Sequence, residues 1–324
     1  MSVDNRRRLA LAHQQHSGVS SGRPAHLKIE LTNFCNLRCP FCPHHSMQRE
    51  IGYMELALYR RILEQAAPEL EFIYLHHLGE SLFHPQLGEF IALARGLKIS
   101  TGLSTNATFL DDKRGSRLLD GGLDFLVISL DAASEKSYAT MRPGGDFWST
   151  KTKVERFLAQ TRSQSSALKV TVQLILDECN RDEVEPFAAH WRSLGASVMI
   201  KAARDFAGQV RWPTSAQKRS LPCRMPYTEL TVLWDGRVVP CANVVDGEPL
   251  LGSLASQTLD EIWNGAAMQA LRQAHAAQAV GHIAVCRRCP GQELVHGDFV
   301  ATDVYAQRLR LYRREDLSPQ PGLS

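Results

Sequence analysis

No run in this chain approaches the roughly 18 successive apolar residues of a membrane-crossing helix, so neither a membrane span nor a membrane partner is expected. A secretory leader is not expected either. Arg6, Arg7 and Arg8 are followed only by Leu9, Ala10, Leu11 and Ala12 before polar residues resume, short of the ~7–15-residue apolar core of a signal peptide. The expected location is cytoplasmic. Charge of one sign is scarce: 37 Lys and Arg against 34 Asp and Glu leave a net +3 over 324 residues. A nucleic-acid partner is therefore not expected, since such binders concentrate basic residues on one face. The single basic cluster, Arg6 to Arg8, reads as a solvated helix end. Repeats of fixed period are also missing. What remains is ordinary globular composition, 44% hydrophobic and 22% charged, in a length that suits one large domain with an appendage or two modest ones.

From about residue 27 to 201 short β-rich runs alternate with helical patterns. Strands are predicted at 27–32, 72–76, 98–104, 125–130, 168–176 and 198–201, each rich in Val, Ile, Leu or Phe and bounded by polar residues or Gly. Helices are predicted at 54–67, 85–95, 111–119, 147–162 and 181–194. Repeated strand–helix units predict an α/β fold with a parallel sheet and right-handed crossovers, and six of them a partial (β/α)6 barrel. Ligands of such sheets bind at the C-terminal strand ends, so chemistry is expected in the loops after the strands. Residues 206–222, with Gly208, Pro213 and Pro222, read as a linker. Beyond it the pattern predicts a hairpin about Asp235-Gly236, a helix over 259–274 capped by Thr258, a further helix over 302–313, and a frayed tail with Pro319 and Pro321.

There are eight cysteines, and seven fall into two groups. Clustered thiols in a reducing compartment point to metal or redox chemistry rather than disulfides. Cys35, Cys39 and Cys42 follow the first predicted strand with the spacing Cys-x3-Cys-x2-Cys. Three thiolates on one loop suit a four-iron cluster with one iron left open for an outside ligand. A structural zinc site wants a fourth ligand, which His44 or His45 would have to supply. Cys223, Cys241, Cys286 and Cys289 form the second group, the last two as Cys-x2-Cys before Pro290. Four such cysteines saturate a metal; a zinc ribbon and an iron–sulfur cluster both fit the spacing, and a zinc-binding scaffold is the non-enzymatic alternative. Cys179 stands alone after the fifth strand, where a thiol without function is the plain reading.

The first cysteine loop, with Phe41 just before Cys42, resembles that of the radical S-adenosylmethionine (SAM) superfamily. The resemblance implies a partial (β/α)6 barrel over about 25–205 and extends to successive strand ends. Gly79-Glu80 resembles the family's Gly-Glu motif, which holds the SAM amino group, although Leu78 stands where Gly is common. Ser104, Thr105 and Asn106 are similar to the family's polar turn near the cofactor. Ser129 and Asp131 fall where the family contacts SAM ribose or carboxylate, and Arg142 resembles an arginine just beyond. The implied chemistry is reductive cleavage of SAM at a [4Fe–4S] cluster to a 5′-deoxyadenosyl radical that abstracts hydrogen, with flavodoxin or ferredoxin as electron donor.

The second group resembles the short SPASM or twitch-type auxiliary module of these enzymes, over about 223–313, which implies a second [4Fe–4S] cluster. Residues 1–24 then form an N-terminal extension and 314–324 a tail. The four-cysteine pattern resembles the aminoglycoside-modifying members, the 2-deoxy-scyllo-inosamine dehydrogenases among them. That implies oxidation of a secondary alcohol on a small polar substrate, a sugar or aminocyclitol, in secondary metabolism. Epimerisation with Cys179 as hydrogen donor and decarboxylation of a sugar acid are the alternatives. Glu178, Lys201, Arg204 and Asp205, with His76 and His77, are the candidates for handling substrate or its proton.

Overall fold

The structure, a computed structural model, describes residues 3–202, 205–210 and 222–289. It opens with α1 (Val3–Gln14), then β1 (His26–Ile29), α2 (Leu56–Ala66), β2 (Phe72–Tyr74), α3 (Leu87–Gly96), β3 (Ser100–Thr105), α4 (Asp112–Gly121) and β4 (Phe125–Ser129). Two helices, α5 (Glu135–Met141) and α6 (Phe147–Ser163), lead to β5 (Lys169–Leu176), α7 (Val184–Ser193) and β6 (Ser197–Ala202). The second region adds β7 (Glu229–Val232), β8 (Arg237–Val239), β9 (Gly252–Ser253), α8 (Leu259–Trp263), α9 (Ala266–Ala276) and α10 (Ala284–Arg287). All six expected strands are present. The helix expected over 302–313, the tail, Arg204 and most of the expected linker lie outside the described residues.

One sheet of nine strands runs in the order β6-β5-β4-β3-β2-β1-β7-β8-β9. Strands β1 to β6 are parallel in sequence order, and β7 adds to β1, also parallel, with Leu27 opposite Leu230. Strands β8 and β9 continue antiparallel. The sheet therefore crosses from the first region into the second without a break. Alternation along each strand sorts the side chains. Leu27, Ile29, Ile73, Leu103, Leu126, Ile128, Val172, Leu174, Val198, Ile200, Leu230 and Val232 pack in the core under the helices. The alternate positions, among them Lys28, Tyr74, Ser104, Ser129, Gln173, Lys201 and Thr231, face the other side, the concave lumen. Its lower end is plugged by aromatic rings: Phe72 meets Tyr74 at 4.5 Å and Phe125 at 5.7 Å. Gly102 makes room for this plug, because a Cβ there would lie 2.5 Å from the Phe72 ring.

Two expectations are corrected. Arg6 and Arg8 are not merely a solvated helix end: Arg6 bonds Glu71 at 2.6 Å and Arg8 bonds Glu69 at 3.1 Å, while Leu9 is buried in the main core. Only Arg7 fits the solvated reading. The helix expected over 259–274 is two helices. Thr258 caps the first in a capping box with Glu261, as expected. The chain then breaks at Asn264 and Gly265, where Gly265 is extended at the start of α9. The Asn264 amide pairs with both Ser20 N and Ser20 O at 2.9 Å, a tertiary bond that periodicity does not encode.

Candidate active site

Beyond β1 the chain turns through Thr32 and Asn33 into the three-cysteine loop. Asn33 closes this loop by accepting from Gly52 N and donating to Glu50 O, at 2.9 and 2.8 Å. Cys39 is buried; Cys35 and Cys42 are half-buried, and Leu37, Phe41, Met141 and Ile175 form their apolar bed. Burial pushes the Cys35 thiol up to about 11 and Cys42 up to about 12, and Cys39 upward as well. A metal-bound sulfur is a thiolate, so only a strong cation at this site offsets that penalty.

The Gly-Glu pair fits tightly against this loop. Glu80 N donates to Phe34 O at 2.7 Å, and a Cβ on Gly79 would lie 2.1 Å from Thr32 O. The buried Glu80 carboxylate accepts from Thr105 Oγ1 at 2.8 Å, Asn106 N at 2.7 Å and Leu82 N at 3.0 Å. Burial raises its pKa, and these donors and Arg142 work against that rise. Asn106 in turn donates to Asn36 Oδ1 at 3.1 Å, beside the Cys35 sulfur. The strand ends are thus wired to the cysteine loop through one carboxylate. Further round the sheet, Ser104 Oγ and Ser129 Oγ lie 3.3 Å apart, and Gln173 Nε2 donates to Ser129 at 3.2 Å.

Asp131 has a left-handed backbone, φ 64°, and is fully buried. Its Oδ1 accepts from Ile175 N at 2.7 Å, and Oδ2 pairs with Arg142. Arg142 also donates to Cys39 Sγ at 3.4 Å and lies 5.3 Å from the Phe41 ring. Burial alone would lower the guanidinium pKa, but Asp131 and Cys39 beside it outweigh that and raise it. Arg142 Nε is buried with no partner among the described residues. A fixed cation touching one thiol, with an unspent N–H, fits a site built for an anionic cluster and a cofactor carboxylate.

In the second group, Cys241 packs against Leu233, Val239 and Val244 beyond β8, and Cys286 packs against the main core. Cys223 lies within electrostatic reach of Cys286 and Cys289, and Cys241 of Cys223 and Cys289. Burial drives Cys223 and Cys241 each up to about 12. Among the described residues no three His, Cys, Asp or Glu side chains close on a single metal ion. Four thiolates gathered in this way can hold either one zinc ion or a four-iron cluster. The segment after Cys241 docks on the barrel. His77 Nε2 lies 3.1 Å from Val244 O, and buried Arg49 donates to Val245 O at 2.7 Å while holding both oxygens of Glu30 at 2.7 Å.

The expected substrate residues divide. His76 and Lys201 lie within electrostatic reach of each other, with Lys28, at the lumen. Ser104 N donates to His76 Nδ1 at 3.1 Å, so the proton of a neutral ring sits on Nε2. Burial and the neighbouring Lys28, His77 and Lys201 hold His76 well below the ordinary histidine range. Cys179 and Glu178 instead lie exposed on a turn whose first residue, Asp177, caps Cys179 N at 3.0 Å. Asp205 begins a turn that accepts Val210 N at 3.0 Å. Sequence reasoning missed Asn180, which donates to Asp131 O and Ile175 O at 2.9 Å and so fixes the Asp131 turn. It also missed Gln173 and Asn243. Strand alternation was the available signal for Gln173, and the Asp177-x-x-Asn180 capping box for Asn180; nothing local marks Asn243.

Two family models match the chain. One described as the radical SAM superfamily matches residues 29–184, and one described as the iron–sulfur cluster-binding domain SPASM matches 223–290. The chain is similar to a tungsten-containing aldehyde ferredoxin oxidoreductase cofactor-modifying protein of Pyrococcus furiosus, at 25% identity over 67% of this chain and 70% of that protein. It is similar to a PqqA peptide cyclase of Streptomyces rochei, at 27% over 85% and 84%. It is also similar to the SAM-dependent 2-deoxy-scyllo-inosamine dehydrogenase of Niallia circulans, at 21% over 81% and 91%. The crystal structure of BtrN in complex with AdoMet and 2-DOIA shares the fold, with a TM-score of 0.57 and 18% identity over 82% of this chain and 92% of that one. Each family match lands on its own cysteine group, and the sheet order agrees: the chain carries a radical SAM domain over residues 29–184 and a SPASM domain over 223–290, and the cofactors of these domains are SAM and two [4Fe–4S] clusters.

Proposed function

We propose that this enzyme oxidises a secondary alcohol of a small polar metabolite, a sugar or aminocyclitol, to a ketone. The observation that carries this reading is the docking of the segment after Cys241 on the barrel through His77 and Arg49. A cluster held by all four cysteines has no open position for substrate, which suits it to accept an electron. When bound, SAM and the first cluster supply a radical that takes one hydrogen atom from carbon, and the second cluster supplies an acceptor for the remaining electron. The hydroxyl proton completes the balance: two electrons and two protons leave the alcohol. The protein's part is to hold and orient. Glu80, Asn106, Ser104, Ser129 and Arg142 are proposed to seat SAM, with Phe41 lining the cluster loop. Lys201, on the lumen face, is proposed to bind substrate, and Arg204 and Glu178 to border it. An external protein of the flavodoxin or ferredoxin class supplies the first electron, and the electron left on the second cluster returns to the first cluster or to that protein before the next turnover. The 206–222 linker between the barrel (25–205) and the module (223–313) is proposed to let the two carry separate clusters.

The test is anaerobic turnover with SAM and dithionite in heavy water, using 2-deoxy-scyllo-inosamine, the compound named for the Niallia circulans relative. Loss of two hydrogens, with one 5′-deoxyadenosine per ketone, is expected. A second reading is epimerisation, with Cys179 on the turn after β5 as the hydrogen donor. Unchanged formula with one solvent deuterium on carbon would support that reading and refute oxidation. Loss of carbon dioxide from a sugar-acid substrate would replace both with decarboxylation. Zinc with no labile sulfide would point to a scaffold instead.

A further inference from the structure

We propose that His275 and Asn243 tune the second cluster by hydrogen-bonding two of its cysteine sulfurs, and so raise its reduction potential. This inference rests on the electron-acceptor reading above and adds to it. His275 Nε2 lies 3.5 Å from Cys286 Sγ, and Asn243 Nδ2 donates to Cys289 Sγ at 3.4 Å. A sulfur bound to iron carries no proton, so both bonds run from nitrogen to sulfur. For Asn243 the donor is an amide NH₂; for His275 it fixes the proton on Nε2.

Both donors are held rigidly away from water. Asn243 is 1% exposed and His275 3%. His275 sits in the last turn of α9, whose Met268 and Leu271 are anchored in the main core. Gln278 N and Ala279 N close that helix end on His275 O and Ala274 O. Asn243 lies two residues after Cys241, and Gln209 Nε2 holds its backbone carbonyl at 2.6 Å. Buried N–H groups of fixed direction interact more strongly than hydrated ones, since no solvent reorients against them.

The consequence is electrostatic. Four thiolates leave the cluster negative, and an added electron makes it more so. N–H dipoles aimed at the sulfurs stabilise the reduced state more than the oxidised one, which raises the potential. The other two sulfurs meet the opposite field, because Glu229 lies within electrostatic reach of Cys223 and Cys241. The Cys286–Cys289 side is therefore where the incoming electron is best stabilised.

The test uses the anaerobically reconstituted holoenzyme. Potentiometric titration followed by EPR separates the clusters, since added SAM perturbs only the signal of the one that binds it. His275→Leu and Asn243→Asp are each expected to lower the second cluster's potential while the first stays put. His275→Gln, which keeps a donor, is expected to recover most of the shift. An unchanged potential in both variants at full iron content would overturn the proposal, as would equal shifts in both clusters. Should the variants lose iron, pulsed EPR of the reduced wild type in water and heavy water decides. Exchangeable protons coupled to the second cluster are expected, and their absence overturns the proposal. Only one cluster in the wild type would instead defeat the electron-acceptor reading itself.

Discussion

Gly79→Ala puts the smallest possible side chain at the tightest point of the site. Its Cβ would meet Thr32 O at 2.1 Å and the Thr32 carbonyl carbon and Asn33 Cα at 2.8 Å. All three are backbone, and none can rotate away. Real Cβ contacts essentially never fall below 3.0 Å, so the two segments must part by about 1 Å. Overpacking of this kind costs about 1–3 kcal/mol where side chains yield, and the upper end applies here because backbone must move. The displacement also strains the Glu80 N to Phe34 O bond, which ties the carboxylate to the cysteine loop. Urea unfolding of the variant is expected to show a stability loss of about 3 kcal/mol, and reconstitution to give a weaker or absent first cluster. Gly96→Ala is the control. Nothing lies within 4 Å of a Cβ there, at the end of α3, so a gain of about 0.4–1 kcal/mol is expected from the unfolded chain's lost freedom. A wild-type midpoint in Gly79→Ala, or a loss in Gly96→Ala, would refute the steric reasoning.

Arg49→Ala leaves the buried Glu30 carboxylate without its cation and should cost about 3–5 kcal/mol in urea unfolding; the double variant Glu30→Met, Arg49→Met should be milder. Burial first, then Lys28 and Arg49, hold His77 down at about 4. The unfolded histidine gains its proton near its ordinary 6.5, and the folded one only near 4. Stability is therefore present above pH 6.5 and lost as pH falls toward 4, by at most about 3 kcal/mol. His77→Gln should flatten that part of the stability profile, and an unchanged profile would rule the histidine out. Iron analysis should give about eight irons in the wild type and about four in either Cys35→Ala or Cys241→Ala; a loss of all iron in both would mean one shared site. Cys179→Ala should leave ketone formation intact, and its abolition would place the thiol in the chemistry.

Much of the site was legible in the sequence because its parts are local. Three cysteines within eight residues, and Gly79-Glu80 beginning five residues past the end of β2, are set by covalent spacing and strand position. Arg142 was legible as a polar residue near the cofactor but not as the partner of Asp131 and Cys39, a contact 103 residues apart in sequence from loop to helix end. Asn180 was legible only as half of a capping box with Asp177; its bond to Asp131 O, 49 residues away, was not. The helix over 259–274 misled, since its hydrophobic period continues through Asn264 while the break is enforced by Ser20.

By itself the sequence determined the six parallel strands with the helices between them, the two cysteine groups and their order, because apolar periodicity and ligand spacing act within a few residues. The tertiary structure alone decided that β7 pairs with β1, so that one sheet joins the regions carrying the two groups. It also decided which buried donors meet which sulfurs. Those outcomes depend on side chains far apart in the chain finding a common low-dielectric space, and no local pattern records that.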